Sequence, residues 1–315
     1  MNDYVFEKID VVLQELEILQ IRPISWIDQI TTKIGLFNSI KEADASPTPW
    51  QEWENDSLWG GVNVHQWFKA TFSVDTKLEG ADLVLLVSTD KDGWLALNPQ
   101  FLLFVDGTIK QGLDTNHQLV FLGKSKQAGE SYRLDFSGWS GMLDSRSSFK
   151  IQLGEFDQAT STLYFDLLAA FQSVKLMDRG AIETITLVKK LNQAVKMLDL
   201  RQPRSKDYYA SVRLVCDFLK DEVYNTLTHP TLKATCVGHA HIDVAWLWTI
   251  DQTRLKTART FASSLDLMER YPEFIFLASQ PQLYRFVSED YPELYKRIIK
   301  KIHQGKWEAE GGMWV

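Results

Sequence analysis

The chain has 315 residues, 45% of them hydrophobic and 24% charged, the balance of an ordinary soluble protein of about two domains. Its net charge of −7 disfavours a nucleic-acid partner, because phosphate binding draws on clustered Lys and Arg. Cys216 and Cys236 make no disulfide framework, Met1–Asp10 lacks the basic and apolar regions of a signal peptide, and no apolar run approaches the ~20 residues of a membrane span, so a cytoplasmic chain without membrane association is expected.

In chain order, Val5, Ile9, Val12, Leu13, Leu16 and Leu19 recur at helical spacing and predict an amphipathic helix over residues 3–20. A weaker helical pattern covers Ile24–Ser39, and Ser46-Pro47-Thr48-Pro49 breaks it as a linker. From Trp59 the texture changes to short apolar or alternating runs. These are Trp67–Val74, Asp82–Ser88, Phe101–Val105, Leu119–Leu122 and Tyr132–Phe136, separated by turn signals such as Asp106-Gly107 and Ala128-Gly129. Phe149–Gly154 and Leu163–Leu168 are candidate further strands. Such a series predicts a β-sandwich of jelly-roll type. Within it, Phe104–His117 (FVDGTIKQGLDTNH) reads as a hairpin followed by a polar loop carrying Asp114, Asn116 and His117, whose simplest role is a solvated connection. Two amphipathic helices follow, Ile182–Leu198 and Tyr208–Leu227, closed at Pro203 and Pro230 and read as a connector.

The richest chemistry comes next. Leu232–Val237 reads as a buried strand, with Cys236 a buried thiol. His239, His241 and Asp243 then fall at every second position, and alternate side chains of an extended chain point one way. Imidazole and carboxylate donors together suit zinc or a similar divalent ion. Trp246 and Trp248 follow at once, and indole faces commonly bed the apolar face of a sugar ring.

Arg254–Tyr271 then reads as a helix, Phe274–Ala278 as a strand, Leu283–Ile302 as a helix interrupted at Tyr291-Pro292, and Trp307–Val315 as a strand. The order β-α-β-α-β calls for a parallel sheet or a (β/α) barrel, whose site sits at the carboxyl ends of the strands. Asp251 suits a helix N-terminus, as a cap or against the dipole. Glu308 and Glu310 precede the carboxyl end of their strand and read as structural or solvated. Lys296–Lys301 reads as a solvated helix face.

The expected organisation is multidomain, α+β and then α/β. It comprises an N-terminal helical segment (1–50), a jelly-roll-like β-sandwich (51–170), a helical connector (171–230) and the first three βα units of a (β/α) barrel (231–315). A barrel takes roughly 200 residues or more. The chain is therefore expected to be the amino-terminal part of a larger protein or one half of a split enzyme.

Four stretches resemble the glycoside hydrolase family 38 α-mannosidases of the cytosolic type. Gly238–Trp248 (GHAHIDVAWLW) is close to the family's metal-site motif, and Gln304–Val315 (QGKWEAEGGMWV) is similar to the approach to its catalytic strand. Phe104–His117 resembles a loop of the family's N-terminal sandwich, and Ala278–Arg297 resembles its second barrel helix. The resemblance covers essentially the whole chain, domain order included, and corresponds to the family's N-terminal third.

It implies a (β/α)7-type catalytic barrel and a retaining exo-α-mannosidase that removes terminal α-mannosyl residues from oligosaccharides, with one zinc ion and with cobalt accepted in some forms. By motif position His241 and Asp243 match metal ligands, and Trp246 matches the aromatic residue against the mannose. His239 is not one of the usual ligands and stands beside them. The metal holds two sugar hydroxyls and helps distort the ring toward an oxocarbenium-like transition state. The family's nucleophilic Asp, a further His ligand and the acid/base carboxylate fall beyond Val315, so no catalytic residue is expected within the chain. Weak metal binding and no hydrolysis by the chain alone follow, with a companion chain carrying the rest of the barrel and a homo-oligomer as possible partners. Two other readings stand beside this one. An amidohydrolase-like metal hydrolase also places H-x-H after a first barrel strand, and a non-catalytic carbohydrate-binding or assembly fragment needs no nucleophile.

Overall fold

The computed structural model describes residues 3–54, 56–91, 98–226, 234–246, 248–309 and 312. The chain runs through α1 (Asp3–Leu19), β1 (Ile21–Trp26), β2 (Ile30–Ile34), α2 (Ile40–Ala45), β3 (Gln51–Glu52), β4 (Trp59–Gly60), β5 (His65–Ser73), β6 (Leu83–Ser88), β7 (Gln100–Val105), β8 (Thr108–Leu113), β9 (Leu119–Gly123), β10 (Ser131–Trp139), β11 (Arg146–Ser147) and β12 (Lys150–Phe156). It continues through α3 (Gln158–Leu176), α4 (Ile182–Met197), α5 (Lys206–Leu219), β13 (Gly238–His239), α6 (Ile250–Arg270), β14 (Phe276–Leu277), α7 (Pro281–Asp290), α8 (Pro292–His303) and β15 (Trp307–Glu308). These elements form two compact units, residues 1–23 with 154–234 and residues 24–153 with 235–315.

The first unit is helical. The apolar stripe of α1 (Ile9, Val12, Leu13, Leu16) packs with Leu163, Leu167 and Phe171 of α3, Leu191 and Val195 of α4, and Tyr208, Val212 and Val215 of α5. Asp157 and Ser205 cap α3 and α5 by accepting from the amides of Thr160 and Tyr208. The buried Tyr208 hydroxyl finds its partner in Thr160 Oγ1 at 2.8 Å. Leu163–Leu168, a candidate strand in the sequence, lies inside α3. Leu163, Leu167, Ala170, Phe171 and Val174 recur at helical spacing and are the buried positions.

The second unit holds a β-sandwich and a small parallel sheet. Sheets in the order β1-β12-β6-β9 and β3-β2-β5-β10-β7-β8 share one core, in which Leu83, Leu85, Val120 and Ile151 meet Phe68, Phe101, Leu103, Leu134 and Phe136. The unbroken apolar run of β7 has a physical cause. Phe101 and Leu103 face the sandwich core, while Leu102 and Phe104 face a second core with Trp67, Phe261 and Leu265. The larger sheet is thus covered on both faces, and alternation is lost where both faces are apolar.

Residues 24–39 do not form the expected helix. Strand β2 (ITTKI) is rich in β-branched residues, which favour a pleated surface. Thr32 Oγ1 donates to the Trp67 carbonyl at 2.8 Å, and the buried Lys33 Nζ donates to the Ala43 carbonyl at the end of α2 at 2.5 Å. A cation at a helix carboxyl end is favoured by the aligned peptide dipoles.

The parallel sheet has the order β13-β14-β15, with Gly238 opposite Phe276 and Phe276 opposite Trp307. Helices α6, α7 and α8 connect these strands and enclose Phe276, Trp307, Phe261, Leu283, Phe286 and Ile298. The first strand is shorter and later than the expected Leu232–Val237, of which residues 231–233 lie outside the described ones. The pairing register explains this. Carried back from Gly238 and Phe276, it would set Cys236 against Phe274, whose amide instead closes a turn onto the Tyr271 carbonyl at 3.0 Å. Residues 234–237 therefore lack a strand partner and are exposed, and Cys236 is an exposed thiol rather than a buried one.

Candidate functional site

The residues after β13 carry the donors. Ile242 turns inward and is 2% exposed, and its carbonyl accepts from Gln280 Nε2 at 2.8 Å. Its neighbours His241 and Asp243 turn outward together, and His241 Nε2 lies 3.0 Å from Asp243 Oδ1. The alternation that the H-x-H-x-D spacing predicts therefore brings these two side chains to one spot at the carboxyl end of the first parallel strand. Both are open to solvent. His239, the last residue of β13, is exposed, and among the described residues no three His, Cys, Asp or Glu side chains converge.

The loop is held from beneath by α6. Ala245 takes a left-handed backbone with φ of 61°, a conformation unfavourable for a residue with a Cβ. Its amide donates to Thr253 Oγ1 at 3.2 Å, and Trp248 Nε1 donates to the same oxygen at 3.0 Å. Thr249 caps α6 by accepting from the Gln252 amide, so Asp251 lies in the first turn, where a carboxylate suits the helix dipole. Trp246 is 68% exposed and meets Trp248 edge to face, with ring centroids 5.8 Å apart. Lys256 Nζ sits 4.6 Å over the Trp248 ring. Burial pushes the Lys256 ammonium below its ordinary range with help from Arg259, while Asp114 and Asp243 pull it back up.

One turn further along α6, the buried Arg259 donates to Gln100 Oε1 at 2.5 Å. Burial pushes this guanidinium down to about 10, so it remains a cation at neutral pH. The polar loop after β8 is a tight turn. Asp114 and His117 exchange both backbone hydrogen bonds at 3.3 Å, and Asp114 Oδ1 accepts from the amides of Asn116 and His117 and from His117 Nδ1, each at 2.8 Å. The hydrogen bond to Asp114 holds the His117 imidazolium above its usual range, against the opposing pull of burial.

The structure thus unites His241 and Asp243, leaves Trp246 exposed beside them, and does not add His239 to the pair. Glu308 is exposed on β15, and Glu310 lies outside the described residues. Thr253 and Lys256 escape the sequence reading. Nothing in the spacing of a helix shows which of its polar residues face a loop folded back on it. Arg254, close by, is bound by Asp290 at 2.6 Å and Glu289 at 2.8 Å and braces α6 against α7.

The profile of the glycosyl hydrolases family 38 N-terminal domain matches residues 231–315, the segment that carries this site. Among curated proteins, alpha-mannosidase G of Dictyostelium discoideum is 24% identical over 289 residues, covering 88% of this chain and 26% of its own length. Human alpha-mannosidase 2C1 is 28% identical over 265 residues, covering 79% of this chain and 24% of its own length. Alpha-mannosidase of Saccharomyces cerevisiae is 45% identical over 80 residues, 25% of this chain and 7% of that protein. The chain spans about a quarter of the length of the first two relatives. Residues 231–315 thus match the N-terminal domain of glycosyl hydrolases family 38, and most of the chain is similar in sequence to α-mannosidases.

Proposed function

We propose that this chain is part of a zinc-dependent, retaining exo-α-mannosidase that acts on terminal α-mannosyl residues of oligosaccharides, with His241 and Asp243 as two of the metal ligands. The observation that carries the reading is the 3.0 Å pairing of His241 Nε2 with Asp243 Oδ1 at the carboxyl end of β13. One imidazole and one carboxylate are suitable zinc donors, and two ligands each ~2.0–2.2 Å from one ion fall at about such a separation. Zinc held there supplies Lewis-acid charge at sugar hydroxyls. Trp246 offers an exposed indole face for the apolar side of the mannose, and Ile242, anchored by Gln280, fixes the backbone from which both ligands project.

Two donors fall short of the three protein ligands typical of catalytic zinc. The described residues alone therefore bind zinc weakly and do not hydrolyse mannosides. The further donors this reading requires are not among the described residues, a companion polypeptide being one source of them, and cobalt is an acceptable substitute for zinc. Two free cysteines, one of them exposed, agree with a reducing compartment such as the cytoplasm. No helix among the described residues is long and apolar enough to cross a membrane.

Isothermal titration with zinc tests the assignment. His241→Ala or Asp243→Ala is expected to weaken binding at least about tenfold, and His239→Gln to change it little. Unchanged affinity in both of the first two variants would refute the ligand assignment. Zinc-dependent turnover of an aryl α-mannoside by the isolated chain would refute the two-donor reading.

A further inference from the structure

Strand β8 runs alongside α6 in a fixed register, and that register carries a sandwich loop to the His241–Asp243 pair. Near the carboxyl end of the helix, Lys110 Nζ lies 2.6 Å from Asp266 Oδ1. Two strand residues on, the Gly112 amide donates to Ser263 Oγ at 3.1 Å, and Gly112 backs so closely onto α6 that a Cβ there would stand 2.5 Å from Arg259 Cβ. Two residues further, Asp114 lies within the electrostatic reach of Arg259 and Lys256. Two strand residues advance about 6.6 Å and one helical turn about 5.4 Å, so the strand and the helix keep step in opposite directions. The next turn of α6 holds Thr253, which binds the Ala245 amide and the Trp248 indole. The walk from Lys110 to Asp114 therefore ends beside the metal-site loop.

We propose that the Asp114–His117 turn and Lys256 form the wall of the candidate site that receives the second sugar of an α-mannoside, on the leaving side of the scissile bond. This rests on the mannosidase reading given above. The turn is built to present a fixed edge. Asp114 Oδ1 takes three hydrogen bonds at 2.8 Å and so fixes the His117 ring through Nδ1. His117 is 75% exposed in its side chain, and Nε2 is left to meet a hydroxyl. Lys256 adds an ammonium donor above the Trp248 ring. Sugar hydroxyls both donate and accept, which complements this mixture. A neutral polyol suits the wall better than an anion, because the carboxylates of Asp114 and Asp243 offset the charges of Lys256 and the buried Arg259. The first sugar belongs to His241, Asp243 and Trp246, and the turn reaches the site through Lys256, which lies over Trp248 and within the electrostatic reach of both Asp114 and Asp243.

The test follows the histidine ring nitrogens by NMR with zinc present, in the protein with its further zinc donors in place. Resonances are assigned by single His→Gln variants, and methyl α-mannoside and an α-linked mannobiose are titrated separately. The expected result is that His241 responds to both sugars and His117 to mannobiose alone. His117→Ala, at an exposed position that does not threaten the fold, then removes a mannobiose affinity advantage of the order of fivefold to tenfold and leaves methyl mannoside binding unchanged. If His241 responds to both sugars and His117 to neither, the wall is refuted while the mannoside reading stands. If His117 responds equally to the monosaccharide, the second-sugar assignment is refuted. If His241 responds to neither sugar, the mannoside reading falls and this inference with it.

Discussion

Replacing Gly112 with alanine adds a methyl group where α6 leaves no room. The new Cβ would stand 2.5 Å from Arg259 Cβ, 2.9 Å from Arg259 Cα and 3.0 Å from the Arg259 carbonyl oxygen. Ordinary contacts between carbon atoms are about 3.5–4.0 Å, so the strand and the helix must separate by roughly 1 Å. Overpacking of this kind costs ~1–3 kcal/mol. The same movement stretches the Gly112–Ser263 hydrogen bond, worth about 1 kcal/mol. The expected destabilisation is therefore about 2–4 kcal/mol. All eleven tryptophans lie in residues 24–153 and 235–315, so urea unfolding followed by tryptophan fluorescence reports this unit alone. The midpoint should fall with little change in slope. Ser263→Ala isolates the hydrogen bond and should cost only ~1 kcal/mol. A Gly112→Ala protein within about 0.5 kcal/mol of the parent would refute the close approach of β8 to α6, and with it the register that brings Asp114 toward Lys256.

Asp266 is buried between Lys110 at 2.6 Å and Arg270 at 3.0 Å, so Asp266→Asn leaves two cations facing each other and should cost about 2–4 kcal/mol in the same urea assay; a loss below ~1 kcal/mol would deny the cluster a structural role. NMR titration should place His117 above the usual imidazole value of 6.5, because of its Asp114 partner, and His65 below it, because of burial and the nearby Arg259. A raised folded value means that the His117 contribution is complete below 6.5 and is lost as pH rises through the folded value. A depressed one means that His65 opposes folding as pH falls through 6.5, an effect His65→Gln should remove. The reverse ordering of the two histidines would refute both assignments. A disulfide reagent should label Cys236 rapidly and Cys216 slowly, since burial pushes the Cys216 thiol up to about 11 while Cys236 is exposed; equal rates would contradict that difference.

What could be read from the sequence was mostly local. The alternation of His241, Ile242 and Asp243 depends on neighbours in the chain, and the structure turns Ile242 inward and the other two outward. The helices over 3–19 and 182–197 announce themselves by one apolar face each. Residues 24–39 misled because Ile24, Ile27, Ile30 and Ile34 mimic a helical stripe, while tertiary pairing with β5 made a strand of Ile30–Ile34. The start of β13 depends on where β14 begins, a long-range register that no local pattern records. The Asp114–His117 loop read as a plain connection for the same reason. Lys256 is remote in sequence, and only the packing of β8 against α6 brings Asp114 within its electrostatic reach.

The helical unit is sewn from two separate lengths of chain, residues 1–23 and 154–234, with the sandwich strands between them. During synthesis α1 leaves the ribosome first, yet Leu163, Phe171, Leu191 and Tyr208, which shield its apolar stripe, are translated only after the sandwich. Ile9, Leu13 and Leu16 are then open to any passing apolar surface for roughly 7–40 seconds at about 5–20 residues per second. Closing so long a loop adds only logarithmically to the entropy opposing the bundle, so the penalty falls on timing rather than on final stability. The nascent chain should depend on chaperone cover of α1 until α5 emerges, and a rearranged chain that joins α1 directly to α3, with the sandwich strands moved elsewhere, should fold its helical unit sooner.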